Sequence, residues 1–394
     1  MTTPLRRIAL GLFVLALGLL TTPAPGADEE IPWTVQADPW PFPAAAPKAG
    51  KKVFDVPDRH EVRFPETPSP FFALVSQDKN VVKVQFHDLR TLQPDGKAVE
   101  SDKIDARNMR LSPYGDLVLS IDAKAEKPTV TVVSTTGQPV AGAIAINDTK
   151  TKIEGMDFAG KDRVLTVKEI REDNKPKRYW QVWDVKTGKE VSRIQTQLEY
   201  SPKWATVTPG GRYLVIQETS GNGYYLHFWD LTTGAKAGKI ALQAKAEPWG
   251  QCAALAISPD GKELALTWRV EKDGVVLRLM RFDLEKGVKI GEHKLLADAK
   301  PSSPGLLAGR FRTLQFLPDG RAWLLSGHQV VERETGTVVS KVEPAPKYNG
   351  DTRDRRFLDA YHVTDVKDRK LTVLELPKAD LDAAITKARA AAPK

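Results

Sequence analysis

From residue 71 onward, apolar and polar residues alternate in short runs broken by Gly, Pro and Asp. The clearest stretch is Cys252 to Trp268. Leu255 and Ile257 alternate before Ser258-Pro259-Asp260-Gly261, and Leu264, Leu266 and Trp268 alternate after it. Period-two alternation on both sides of such a turn predicts a β-hairpin with one face of each strand buried. Proline presets φ for the turn, aspartate bonds the backbone ahead of it, and glycine takes φ > 0 without a Cβ clash.

The same turn recurs around Pro113, Pro209 and Pro318, with a degenerate copy at Gly160, so that the anchors 113, 160, 209, 259 and 318 are spaced by 47, 49, 50 and 59. A second marker runs in phase with the first. It reads Trp183-Asp184 to Gly188, Trp229-Asp230 to Gly234 and Phe282-Asp283 to Gly287. Asp88, Ser134, Asp184, Asp230, Asp283 and Arg333 take its slot at intervals of 46, 50, 46, 53 and 50. There the aspartate caps the backbone ahead, and the glycine four residues on closes a bulged loop. A repeat near 50 residues, with four strands and no helix, predicts the blade of a β-propeller. The expected fold class is therefore all-β. Seven blades are expected, with six and eight as the neighbouring counts. Asp365 reads as one more such slot, 32 residues after Arg333, so the last blade lacks a strand. Lys52–Val56 or Glu61–Phe64 would supply it and close the ring, removing a sheet edge.

These two turn markers resemble those of the WD-repeat β-propeller family over residues 71–343. The Trp-Asp pair survives at Trp183-Asp184 and Trp229-Asp230, whereas the Gly-His dipeptide of well-kept blades is missing at its place; Gly327-His328 follows a turn instead. The resemblance implies a propeller whose blades rely on apolar packing rather than on that family's buried polar network.

Before the repeats, Arg6 and Arg7 precede an apolar run from Ile8 to Leu20, followed by Ala24-Pro25-Gly26. A basic start, a short apolar run and small residues before a cut at Ala27 are the pattern of an export signal. The run would span only about 20 Å as a helix, short of a bilayer core of about 30 Å; an uncleaved anchor is the competing reading. Residues 27–50 form a Pro-rich leader in which Trp33, Trp40 and Phe42 alternate with Pro32, Pro39, Pro41 and Pro43. This composition predicts an extended segment, docked on its own domain in preference to a partner. Residues 51–377 form the propeller, and 378–394 an Ala-rich peripheral tail with the one helix candidate.

The chain of 394 residues carries Lys+Arg 58 against Asp+Glu 50, a net charge of +8, with 41% hydrophobic residues. This balance excludes a disordered tail, a polytopic membrane protein and a collagen-like fibre. The lone Cys252 excludes an internal disulfide framework and a multi-cysteine zinc site, and reads as a small buried hydrophobe. Six histidines lie at 60, 87, 227, 293, 328 and 362, with no two within five residues. No His-Glu-x-x-His, nucleophile elbow, phosphate loop or dinucleotide fingerprint occurs. No cofactor, metal or catalytic residue is therefore expected.

What remains is the rim. The residues just before each innermost strand are Arg107, Asn108 and Met109; Lys152; Lys203 and Trp204; Trp249; and Arg310, Phe311 and Arg312. In the resembled family such positions line the face used most for binding. Trp and Arg dominate interface energetics, and a basic rim attracts an acidic partner. The expected protein is an exported, periplasmic or extracellular monomer, a non-catalytic scaffold that binds a protein or peptide on its channel face. Nucleic acid is excluded as a partner by the modest basic excess and the lack of a recognition motif. A propeller-type hydrolase, lactonase-like and metal-assisted, and an envelope polysaccharide-binding module are the alternatives.

Overall fold

The computed structural model describes residues 31–42, 52–122, 129–136, 138, 140–145, 152–172, 175–196, 205–220, 223–244, 250–271, 275–299, 313–342 and 355–391. Seven antiparallel sheets follow one another in a ring. Blade 1 is β2 (His60–Arg63), β3 (Phe71–Asp78), β4 (Val81–Asp88) and β5 (Pro94–Ser101). Blade 2 is β6 (Arg110–Leu111), β7 (Leu117–Ile121), β8 (Thr129–Ser134) and β9 (Ala143–Ala145). Blade 3 is β10 (Lys152–Phe158), β11 (Arg163–Glu172), β12 (Lys175–Asp184) and β13 (Glu190–Thr196). Blade 4 is β14 (Ala205–Val207), β15 (Tyr213–Ser220), β16 (Gly223–Asp230) and β17 (Lys236–Ala244). Blade 5 is β18 (Gly250–Ile257), β19 (Glu263–Glu271), β20 (Val275–Asp283) and β21 (Val288–Ala299). Blade 6 is β22 (Leu314–Phe316), β23 (Ala322–Leu325), β24 (Gln329–Glu332) and β25 (Val338–Lys341).

The first strand of each blade is innermost. β22 is buried throughout while β5 and β25 are largely exposed, and the first strands of neighbouring blades touch. The core is accordingly seven apolar wedges, one between each pair of adjacent blades. Alternation explains why. On β19, Leu264, Leu266 and Trp268 face blade 4, while Ala265 faces blade 6. Each blade is thus apolar on both faces, unlike a sheet with one wet side.

Closure confirms one of the two expected strands. β1 (Lys52–Asp55) pairs with β27 (Lys370–Glu375), which pairs with β26 (His362–Lys367); the inner position is a single bridge from Phe357 to Val363. Glu61–Phe64 instead belongs to the innermost strand of blade 1. Blade 7 is therefore built from both ends of the propeller sequence.

Two slots need correction. In blade 6 the capping side chain is Glu332, not Arg333: its Oε2 accepts from the N–H groups of Glu334 and Thr335 at 3.0 and 2.9 Å, and Gly336 lies four residues on at φ 68°. The turn after Asp365 joins β26 to β27, with Asp368 and Arg369 at positive φ. It lies at the opposite end of the blade from the capping slots, which is why the interval of 32 is too short.

The reliance on apolar packing also fails in part. Trp183 Nε1 donates to Thr166 Oγ1 at 2.8 Å. Arg281, 5% exposed, donates to both oxygens of Glu263, 2% exposed, at 2.9 and 3.1 Å, and to Glu334 at 2.8 Å. Arg333 also pairs with Glu263. The C-terminal segment forms a helix, as the sequence suggests, and it docks at the edge of the ring. In α1 (Lys378–Ala390), Leu381 and Ile385 enter the wedge between blades 6 and 7; Arg389 pairs with Glu332 at 2.7 Å and Asp382 with Arg321 at 2.6 Å.

Candidate functional site

In a four-stranded antiparallel blade, the turn from first to second strand and the turn from third to fourth lie at the same end. All the repeated turn motifs therefore gather on one face of the ring, the turn face. Their glycines adopt the left-handed conformation that the motif requires, for example Gly211 at φ 81° and Gly287 at φ 69°. At the mouth the turns are in contact: a Cβ on Gly211 would run into the backbone of Gly160 in the next blade.

A second regularity holds the seams. The residue after each capping slot sends its N–H back to the start of the second strand of its own blade, as in Leu231 to Arg212 and Leu284 to Lys262, both at 2.8 Å. Its carbonyl accepts from the outer strand region of the preceding blade. Lys97 N–H donates to Thr135 O at 3.0 Å, Ala141 N–H to Val185 O at 2.8 Å, and Ser192 Oγ to Leu231 O at 2.5 Å. The ring of His293 reaches Arg333 O at 3.2 Å.

Between blades 4 and 5 the outer strand has Gly238 at the register position that Ser192 takes in blade 3, so no side chain does this there. The leader does it instead. Trp33 lies over Gly238 and Gly287, where a Cβ would collide with the indole, and its Nε1 donates to Leu284 O at 2.9 Å. Its ring meets Phe228 edge-on at 5.4 Å, and Val35 is buried in the same wedge. Thr34 N–H donates to Ala237 O at 2.8 Å, and Gln36 N–H donates to the Tyr213 hydroxyl oxygen at 3.0 Å.

The leader then runs to the centre. Asp38, 9% exposed, accepts from Thr208 Oγ1 and from Arg212 N–H at 3.0 Å. Trp40 donates twice to blade 5, from N–H to Pro259 O at 2.9 Å and from Nε1 to Ile257 O at 3.1 Å. Phe42 meets Tyr114 and Phe71, of blades 2 and 1, at 4.9 and 6.2 Å. Blades 5 and 1–2 lie on opposite sides of a seven-membered ring, so the segment crosses the channel mouth. The expected docking on its own domain is what the structure shows.

Of the predicted rim residues, the four that are described lie at the other end of their blades. Arg107 is exposed before β6, its N–H capped by Asp105 at 2.9 Å; Asn108 is exposed beside it and bonds Asp105 at 2.8 Å. Met109 turns into the wedge between blades 1 and 2, which removes it from the rim. Lys152 opens β10, opposite Glu169. Lys203, Trp204, Trp249, Arg310, Phe311 and Arg312 lie outside the described residues.

Several groups are electrostatically unusual. Burial pushes the Cys252 thiol up to about 12, which keeps it protonated and inert. Asp157, on β10, is half-buried. Desolvation and then the charge of Glu66 push its carboxyl up to about 6. Among the described residues, no group of three or more His, Cys, Asp or Glu could hold a metal ion. A cavity of about 490 Å³ sits where β1 meets the turn after β4, lined by Val53, Phe54, His87 and Thr91 to Pro94.

Between blades 3 and 4, Glu218 and His227 lie 3.4 Å apart, both buried. Desolvation raises Glu218 to about 7 and lowers His227 to about 4, so between those values a neutral acid faces a neutral imidazole. For Glu218 the folded pKa lies above the unfolded one; its contribution is full at low pH and is lost as pH rises through 7. Glu218→Gln is therefore expected to be more stable than the parent by on the order of 2 kcal/mol above pH 8, with the two converging below pH 5. Thermal melts across pH check this; a constant offset at all pH values would contradict it.

Comparison with known structures agrees with the fold. The β-propeller domain of Myceliophteria thermophila Cps50 (Swd1) superposes with a TM-score of 0.51 at 13% identity, covering 83% of this chain and all of that one. The WD40 domain of Toxoplasma gondii coronin gives 0.44 at 12% identity, covering 88% and 92%, and a chain of the mitotic checkpoint complex gives 0.46 at 12%, covering 95% and 99%. The fold is that of a WD40-type seven-bladed propeller. No protein-family model matches the sequence, and no curated protein matches it.

Proposed function

We propose that the protein is an exported, non-catalytic scaffold that binds a protein or peptide on the channel face opposite the turn face. The WD40 propeller fold is one of protein-interaction scaffolds, and this reading extends that to a particular surface. The observation that carries it is the closure of the turn face: the leader covers the mouth, and α1 fills the seam of blades 6 and 7 on the same side. The opposite mouth is the one left for a partner, and Arg107 stands exposed there. The basic and aromatic residues that the sequence sets just before the innermost strands favour an acidic partner.

Export rests on residues 1–26 and predicts a mature chain beginning at Ala27. Cross-linking pull-down from the native envelope, repeated with Trp249→Ala and Arg310→Ala together, tests the surface. Capture is expected to fall at least tenfold for a site built on such anchors, of about 2 kcal/mol each, and to weaken with salt, while the melting temperature stays unchanged. Undiminished capture would place the partner elsewhere.

A further inference from the structure

We propose that the groove between blades 4 and 5 on the turn face is a peptide-binding site held in cis by the leader. Its trans ligand would be an extended partner segment carrying the leader's own signature: Trp, Asp five residues later, and Trp two residues after that, as in Trp33, Asp38 and Trp40.

The receiving groups all belong to the propeller. They are the slot over Gly238 and Gly287, the carbonyls of Ala237, Leu284, Pro259 and Ile257, and the Thr208 hydroxyl with the Arg212 N–H. Most are main-chain groups, so affinity comes from the backbone and specificity from the three anchors together with the buried Val35, as in other extended-peptide grooves. Pro32 and Pro39 remain exposed, so the guest sequence is free there, whereas the exposed Thr34 and Gln36 add side-chain bonds, Thr34 Oγ1 to Ala237 O at 3.2 Å and Arg212 Nη1 to Gln36 Oε1 at 2.6 Å.

None of the described leader residues, 31–42, belongs to any of the seven sheets. The segment can therefore leave without opening a blade. Being tethered, it competes at an effective concentration in the millimolar range, and a trans ligand must overcome that. Emptying the slot also leaves the Leu284 carbonyl and the Trp33 cavity unfilled, which favours exchange of one guest for another over an empty groove.

A labelled peptide with the sequence of residues 31–42 tests this against the full chain and its variant W33A/D38A/W40A. Saturable binding to the variant is expected, at least about tenfold tighter than to the parent, whose groove is occupied. Binding should vanish for a peptide with alanine at the three anchors, and for the variant carrying Gly238→Val in addition. A folded variant that ignores the peptide, or a parent that binds it equally well, would overturn the proposal. Should the variant not fold, hydrogen exchange on the parent decides. The amides of Thr34 and Trp40 must exchange faster than the ladder amides of β16 and β20; equal protection would mean that the leader leaves only on global unfolding, and would end the proposal.

Discussion

Arg281→Met is expected to lower the unfolding free energy by about 3–5 kcal/mol, because it leaves the Glu263 carboxylate buried without its principal partner. Glu263 is 2% exposed and receives both guanidinium bonds of Arg281 at 2.9 and 3.1 Å. The same guanidinium bonds Glu334 on blade 6 and lies 5.9 Å from the Trp323 ring centre, so the loss also opens the seam of blades 5 and 6. Arg333 remains beside Glu263 but reaches it from a partly exposed position. Removing both charges should be milder than removing one. Glu263→Gln with Arg281→Met is therefore expected to recover about 2 kcal/mol relative to the sum of the single changes. Denaturant unfolding of the four proteins checks the cycle, and strictly additive effects would show that the carboxylate is paired by something other than Arg281.

The second large effect is expected at Trp33. Trp33→Ala removes an indole packed on Phe228 and on two glycines, together with its bond to Leu284 O. Truncating a large aromatic in such a slot costs about 3 kcal/mol. Because the leader adds to no sheet, the cost falls on leader docking rather than on the blades. Cleavage within residues 31–42 by a nonspecific protease, under conditions where the leader opens reversibly, should speed up about 100-fold. The melting temperature of the ring should change far less. Gly238→Val approaches the same contact from the other side, at a position without positive φ, and should reproduce the result. A protease rate unmoved by both substitutions would show that Trp40 and Asp38 hold the segment by themselves.

The propeller was legible because its markers are local. A turn that needs φ > 0 selects glycine whatever surrounds it, and a cap needs its acceptor within three residues of the N–H it serves. Hence Gly115, Gly160, Gly211, Gly261 and Gly320 sit in the left-handed region where the repeat placed them. The slip at Arg333 was also a local matter. Counting back four residues from Gly336 reaches Glu332, as the other blades do.

What no local rule could supply was the guest in each seam. Gly238 looks unremarkable within β17, and Asp38 looks like a loop aspartate. Only when blades 4 and 5 are brought side by side does an empty slot meet a tryptophan some 200 residues distant in sequence. The pairing of Lys52 with Val373 and the burial of Leu381 are of the same kind.

The amino-acid sequence alone determined the blade, its period and the chemistry of its turns, since these depend on neighbours within a few residues. Tertiary structure decided which mouth of the ring is covered, by which segment, and through which bonds, because those depend on shapes formed only after the blades have packed.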